Sequence, residues 1–140
     1  MQARKTERGW FLRLERGEEI HETLGRFLAE KGIGFGAVSA IGALDRAELG
    51  LYSLEQGEYL RRLFEGEYEL VSLSGNLSTV DGAPFAHLHV LIADENYEVR
   101  GGHLFSGRVS VTCEMDLVVH DGEVPRRDDA ATGLKLMELD

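Results

Sequence analysis

Three of the five histidines in this chain, His87, His89 and His103, lie close together in two neighbouring apolar segments. The neutral imidazole ring is a good ligand for zinc, copper, nickel and iron. Three such rings on one hairpin would leave at least one coordination position open. The triplet therefore predicts a metal site, with zinc as the simplest choice. The alternative is a hydrogen-bonded patch of histidines at a subunit contact.

Two of these histidines are placed on one face of a strand by their spacing. Alternate residues of a strand share a face, so His87 and His89 project to the same side. The residues around them form the opposite, wholly apolar face: Ala86, Leu88, Val90 and Ile92. Because that apolar face packs on the core, we expect both histidines on the side away from it.

The position of His103 depends on the hairpin loop that precedes its strand. Residues paired directly across two strands share a face. We predict a three-residue loop, residues 94–96, whose final asparagine adopts the left-handed conformation. Ala93 then pairs with Tyr97, and His87 lies opposite His103. A two-residue loop would turn the third histidine to the wrong face.

Two further polar residues are candidates for lining this site. Glu114 lies in an otherwise apolar strand and is the one candidate catalytic base, although an alternating strand would equally place it in solvent. Asn76 is the second candidate, and a turn or bulge would also explain it. His21 and His120 are assigned no metal role, because a lone histidine is more often structural.

The elements that must position these residues are one helix and a series of strands. Apolar residues at helical spacing predict an amphipathic helix from about Glu18 to Glu30. The glycines between Gly32 and Gly36 follow this helix, which favours a helix cap over a phosphate loop. Short alternating segments then predict antiparallel strands near 9–14, 35–43, 46–54, 57–64, 67–78, 85–93, 97–106, 109–119 and 133–138.

The predicted fold class is α+β, with a bent antiparallel sheet of about seven to eight strands packed against one main helix in a single domain. A polar loop is expected over residues 121–131, and a flexible N-terminal tip over residues 1–7. Apolar runs are too short to cross a bilayer, and the single cysteine, Cys113, is expected to be a buried hydrophobe. These features predict a cytoplasmic protein.

The net charge of −10 and the pI of about 4.9 argue against one class of function. A field of this sign repels phosphate backbones and anionic lipid headgroups. We therefore expect neither direct nucleic acid binding nor membrane binding.

The sequence resembles the PPC (plants and prokaryotes conserved) domain family in three segments. These are Glu69-Leu70-Val71-Ser72-Leu73-Ser74-Gly75-Asn76, Pro84-Phe85-Ala86-His87-Leu88-His89-Val90 and Gly101-Gly102-His103-Leu104. The likeness covers residues 8–138 and is that of a stand-alone prokaryotic member. It implies an α+β homotrimer in which His87, His89 and His103 are candidate zinc ligands. The family's DNA-binding label comes with an AT-hook, which this sequence lacks.

Three functions follow as hypotheses. The first is a homotrimeric metal-binding protein whose open zinc position takes a small polar molecule and supports a hydrolytic or lyase reaction on it, with the occurrence of any catalysis left open. The second is a noncatalytic assembly module whose apolar contacts come from Phe64, Tyr68, Leu91 and Phe105. The third is a DNA-associated regulator that acts with a DNA-binding partner.

Overall fold

The predicted amphipathic segment forms the helix α1, Ile20–Lys31, in a computed structural model that describes residues 1–139. The carboxylate of Glu19 caps the helix by accepting the N–H of Glu22 at 2.7 Å. Gly32 ends the helix with φ of 64°, a left-handed conformation that glycine adopts without steric cost. The reading of Gly32 as a cap is confirmed.

The strands alternate apolar and polar residues over most of their length, as half-buried strands do. They are β1 (Gln2–Thr6), β2 (Gly9–Glu15), β3 (Gly36–Ser53), β4 (Glu58–Val80), β5 (Ala83–Ala93), β6 (Val99–Val119), β7 (Arg126–Asp128) and β8 (Lys135–Met137). Six form an antiparallel sheet in the order β1-β2-β6-β3-β4-β5, and β7 and β8 form a separate hairpin. The predicted α+β class and its single domain are confirmed.

The main sheet bends until its edge strand β5 hydrogen-bonds to β6, so that four strands close on themselves. The concave face and α1 enclose one hydrophobic core. Its largest fully buried side chains are Leu12, Leu14, Ile20, Leu24, Leu28, Leu44, Leu70, Leu73, Leu77, Leu88, Ile92 and Leu104. Leu88 and Ile92 are therefore on the core side of β5, as predicted, which leaves the opposite face of that strand for the histidines.

Three strands are about twice as long as predicted. The breaks predicted between strands 57–64 and 67–78 and between strands 97–106 and 109–119 lie inside β4 and β6. The pairing of β3 with β4 shifts register between Ala40 and Gly42 and again between Leu44 and Arg46. A bulge bends a strand without ending it. The breaks in the apolar alternation of the sequence therefore correspond here to bends within strands and not to turns between them.

Both chain ends also differ from their predicted state. The segment expected to be a flexible tip forms β1, and all five of its residues are exposed, so no apolar alternation was present to reveal it. The segment expected to be a polar loop contains β7, whose first residue, Arg126, is 8% exposed. No helix within residues 1–139 has the length and apolarity of a membrane span.

Cys113 is fully buried and has no disulfide partner, as predicted. Burial raises the pKa of its thiol to about 12, with a further contribution from the carboxylate of Glu114. The thiolate is the reactive form of cysteine, so this side chain is an inert part of the core.

Candidate metal centre

The hairpin of β5 and β6 carries all three clustered histidines, but its register differs from the predicted one. Ala93 pairs with Val99, and His89 lies opposite His103. The predicted pairing of Ala93 with Tyr97 is wrong by two residues. An even shift preserves the face of every side chain, so His103 still projects to the same side as the other two.

The loop has five residues, 94–98, because its first side chain organises it. The carboxylate of Asp94 accepts the backbone N–H groups of Asn96 at 2.9 Å and Glu98 at 3.1 Å. Tyr97, not Asn96, adopts the left-handed conformation, with φ of 62°. Asp94 also pairs with Arg100 at 2.6 Å, which ties the loop to the start of β6.

The three imidazole rings converge on one point outside the sheet. Their centroids are 4.9 Å apart for His87 and His89, 5.1 Å for His87 and His103, and 5.6 Å for His89 and His103. One ring nitrogen from each lies within 4.8 Å of the others. This spacing allows one ion to contact all three after small side-chain rotations.

The electrostatic environment keeps two of the rings neutral. Burial lowers the pKa of His87 to about 4, with further lowering by the charges of Arg126 and His89. Burial likewise lowers the pKa of His103 to about 4, and the neighbouring His87 and His89 add to the effect. Only the neutral ring has a lone pair to give a metal, so both are in the ligating form at neutral pH.

One nitrogen of His103 is left without a hydrogen bond in the folded chain. Its Nδ1 is buried and has no partner among residues 1–139. A buried polar atom without a partner costs roughly 1–3 kcal/mol, so such an atom in a folded protein requires an explanation. A metal ion shared with His87 and His89 would use this lone pair, and the residues present therefore fit a metal.

The Nδ1 atom of His87 faces a different neighbour. The Nη2 atom of Arg126 lies 3.4 Å from it, and because a guanidinium only donates, Nδ1 of His87 is the acceptor. Coordination through Nδ1 would take up this lone pair, and coordination through Nε2 would put a proton on Nδ1. Metal binding by His87 and the contact with Arg126 therefore exclude each other.

His87 and His103, but not His89, line a cavity of about 390 Å³, which is in the size range of small-molecule sites. Its lining comes from β4, β5, β6, α1 and the C-terminal hairpin: His21, Tyr59, Phe85, Ala86, His87, His103, Leu104, Phe105, Arg126, Leu134, Lys135 and Leu136. The Nε2 atom of His21 lies 2.8 Å from the carbonyl oxygen of Leu104. His21 thus keeps the structural role predicted for it while lining the site.

The two polar candidates have different outcomes. Asn76 pairs with His87 across β4 and β5, and its Oδ1 accepts a hydrogen bond from Nη2 of Arg126 at 2.7 Å. Glu114, the candidate catalytic base, is exposed and lines a separate depression with Ile41 and Val111. Its expected place beside the histidines is corrected: a far part of β6 holds it on the outer surface.

Sequence reasoning missed Arg126, Tyr59 and His21 as parts of this site. Arg126 and Tyr59 belong to strands that approach the histidines only because the sheet closes and the C-terminal hairpin folds back. The sequence held one signal for Arg126, a pair of arginines in a segment otherwise read as a polar loop.

The fold and the cluster together define a class: a small α+β domain with a candidate transition-metal site on the outer face of a closed sheet. The sequence matches the Plants and Prokaryotes Conserved (PCC) domain over residues 1–121. The chain therefore belongs to this family, which is the PPC family of the resemblance described above.

Two archaeal structures are similar over most of both chains. A metal-containing protein from Archaeoglobus fulgidus is 40% identical, with a TM-score of 0.85, and the match covers 92% of this chain and 91% of that one. A plant- and prokaryote-conserved (PPC) protein from Pyrococcus horikoshii is 34% identical, with a TM-score of 0.84, and covers 92% of this chain and 90% of that one.

Two other similarities are narrower in what they show. A Bacteroides thetaiotaomicron structure named as DNA-binding has a TM-score of 0.94 but 24% identity, over 98% of this chain and 96% of that one, and this shows the fold alone. The bifunctional protein GlmU of a Synechococcus strain is 34% identical over 126 residues, or 87% of this chain. The chain spans about a fifth of the length of such curated relatives, 19% in this case.

Proposed function

We propose that this chain is a cytoplasmic, homotrimeric PPC-family protein that binds one zinc ion per chain through His87, His89 and His103. The observation that carries the proposal is the buried Nδ1 of His103, which has no hydrogen-bond partner within residues 1–139, in a ring clustered with those of His87 and His89. The lowered pKa of two of the rings and the metal-containing relative from Archaeoglobus fulgidus support it.

The chemistry expected of such a site is that of a Lewis acid open to a small ligand. A zinc ion with three protein ligands keeps at least one position for another group and polarises it. The other contributions to ligand binding come from the chain's own residues. Asn76 holds the guanidinium of Arg126 in the cavity wall, and the apolar walls of the cavity exclude water from a bound ligand.

Metal analysis of the native protein tests this proposal. We expect the purified chain to contain about one equivalent of zinc, to lose it to a strong chelator and to regain it on addition of zinc. Elemental analysis by mass spectrometry measures the content at each stage. Substoichiometric metal that cannot be restored would contradict the proposal and favour a hydrogen-bonded histidine patch.

The trimer in this proposal is implied by the family resemblance and is supported by an exposed apolar surface. Ile41, Val71 and Val111 are 59%, 47% and 69% exposed and line one shallow depression. Light scattering is expected to give about three times the 15.5 kDa mass of the chain. A monomeric mass at micromolar concentration would overturn this part of the proposal. Of the residues considered for an assembly surface, Leu91 is exposed, whereas Phe64 and Tyr68 pack against the core.

A further inference from the structure

Arg126 carries a buried positive charge that no residue among 1–139 neutralises. The residue is 8% exposed, and no carboxylate within residues 1–139 forms an ion pair with it. Burying a charge is costly unless an opposite charge accompanies it. Arg126 is therefore a cation without a counterion among residues 1–139, and it lies in the wall of the histidine cavity.

The hydrogen bonds of this guanidinium hold it in place but leave donors free. Its Nε donates to the hydroxyl of Ser78 at 2.9 Å, its Nη1 to the carbonyl oxygen of Lys135 at 2.9 Å, and its Nη2 to Asn76 at 2.7 Å. All three acceptors are neutral. One N–H of Nη1 has no acceptor within residues 1–139, and the Nη2 contact to His87 is long at 3.4 Å. Metal binding by His87 would release that second donor as well.

The rest of the cavity lining carries no negative charge. Although the chain has 25 acidic and 15 basic residues, none of the cavity's lining residues is Asp or Glu. Lys135 also lines it, but its ammonium is paired with Asp128 at 3.0 Å. Aromatic and aliphatic side chains form the remaining wall, chiefly Phe85, Phe105 and Leu134. This is a local cationic pocket with an apolar body in an acidic protein.

We infer that this cavity binds a small organic anion whose single carboxylate is held by Arg126, with its apolar part against the aromatic wall. One guanidinium without an ion pair among the described residues balances one negative charge, and its planar fork matches a carboxylate. The inference deepens the proposed function, and it rests on that function only in treating the histidine pocket as a ligand site.

Calorimetric titration with benzoate and its neutral analogue benzamide tests the inference on the full chain, both as isolated and after chelator treatment. We expect benzoate to bind both forms, and benzamide to bind at least about tenfold more weakly. Equal affinities, or no binding of benzoate, would overturn the inference. Tighter binding of phenyl phosphate than of benzoate would overturn the assignment of a carboxylate.

The neighbouring arginine provides a matched control. Arg127 is exposed and pairs with Glu138 at 3.1 Å. We expect Arg126→Gln to weaken benzoate binding at least about tenfold and Arg127→Gln to change it by less than about twofold. Equal losses in the two variants would contradict the role of Arg126. If circular dichroism shows that Arg126→Gln does not fold, Arg126→Lys replaces it, with a smaller loss expected because the fork is absent.

Zinc content measured on the same samples separates this inference from the proposed function. If the protein contains zinc but binds benzoate and benzamide equally well, the inference is overturned and the proposed metal site is not. Discrimination in a protein that never holds zinc overturns the proposed metal site and leaves Arg126 as an anion site.

Discussion

Substitution of His103 by alanine is expected to weaken zinc binding by at least about a hundredfold, since even residues that only support a metal ligand contribute 10- to 100-fold. Within residues 1–139, His103 brings the one buried side-chain nitrogen that has no hydrogen-bond partner. Competition with a chromophoric chelator measures the affinity of the native and variant chains. The variant is expected to fold, because its ring lies outside the core.

His120→Ala is the matched control for this substitution. The ring centroids of His120 and Phe35 are 4.8 Å apart, and His120 is not part of the cluster of His87, His89 and His103. We expect its zinc affinity to equal that of the native chain. Retention of tight zinc binding by His103→Ala, or an equal loss in His120→Ala, would show that the metal is held elsewhere.

Replacement of Gly75 by alanine is expected to destabilise the fold by about 1–3 kcal/mol or more, as overpacking does in a rigid interior. Gly75 lies opposite Leu88 in the pairing of β4 with β5. A methyl group there would overlap the carbonyl oxygen of His87 and come within 2.8 Å of the side chain of Leu88. The backbone oxygen cannot yield without separating the two strands. Urea unfolding followed by circular dichroism measures the change.

Gly25→Ala is the control for this second substitution. Gly25 lies within α1, and an added methyl group would meet no atom within 4 Å. Alanine is the better helix former, so we expect this variant to gain up to about 1 kcal/mol. A Gly75→Ala chain as stable as the native protein would mean that the strands do not approach as closely as described.

The part of the site that lies within one hairpin was predictable from sequence. His87 and His89 face away from the core because Leu88 and its alternate neighbours are apolar, and this pattern is local. The face on which His103 lies depended only on whether the hairpin loop has an odd or an even number of residues. The true loop is longer than predicted by an even number of residues, because Asp94 binds two backbone N–H groups, and so the face was right while the pairing was wrong.

The parts that depend on long-range contacts were not predictable. Glu114 and His103 lie in opposite halves of the long strand β6, where Glu114 pairs with Arg13 of β2 and His103 pairs with His89 of β5, so they lie at different places on the sheet. Arg126 lies in a short strand whose pattern has no alternation to detect, and its burial arises from contacts with Ser78 and Asn76, far away in sequence. Sequence periodicity carries no information about such contacts.

The C-terminal hairpin of β7 and β8 lies beyond residues 1–121, the extent of the family match, yet it supplies Arg126, Leu134, Lys135 and Leu136 to the cavity. The three histidines belong to the sheet, and the hairpin is an appended wall. Selectivity could therefore diverge through this terminal segment while the histidine-bearing sheet stays unchanged. Exchange of the hairpin between relatives offers protein engineers a route to new ligand preferences above one histidine cluster.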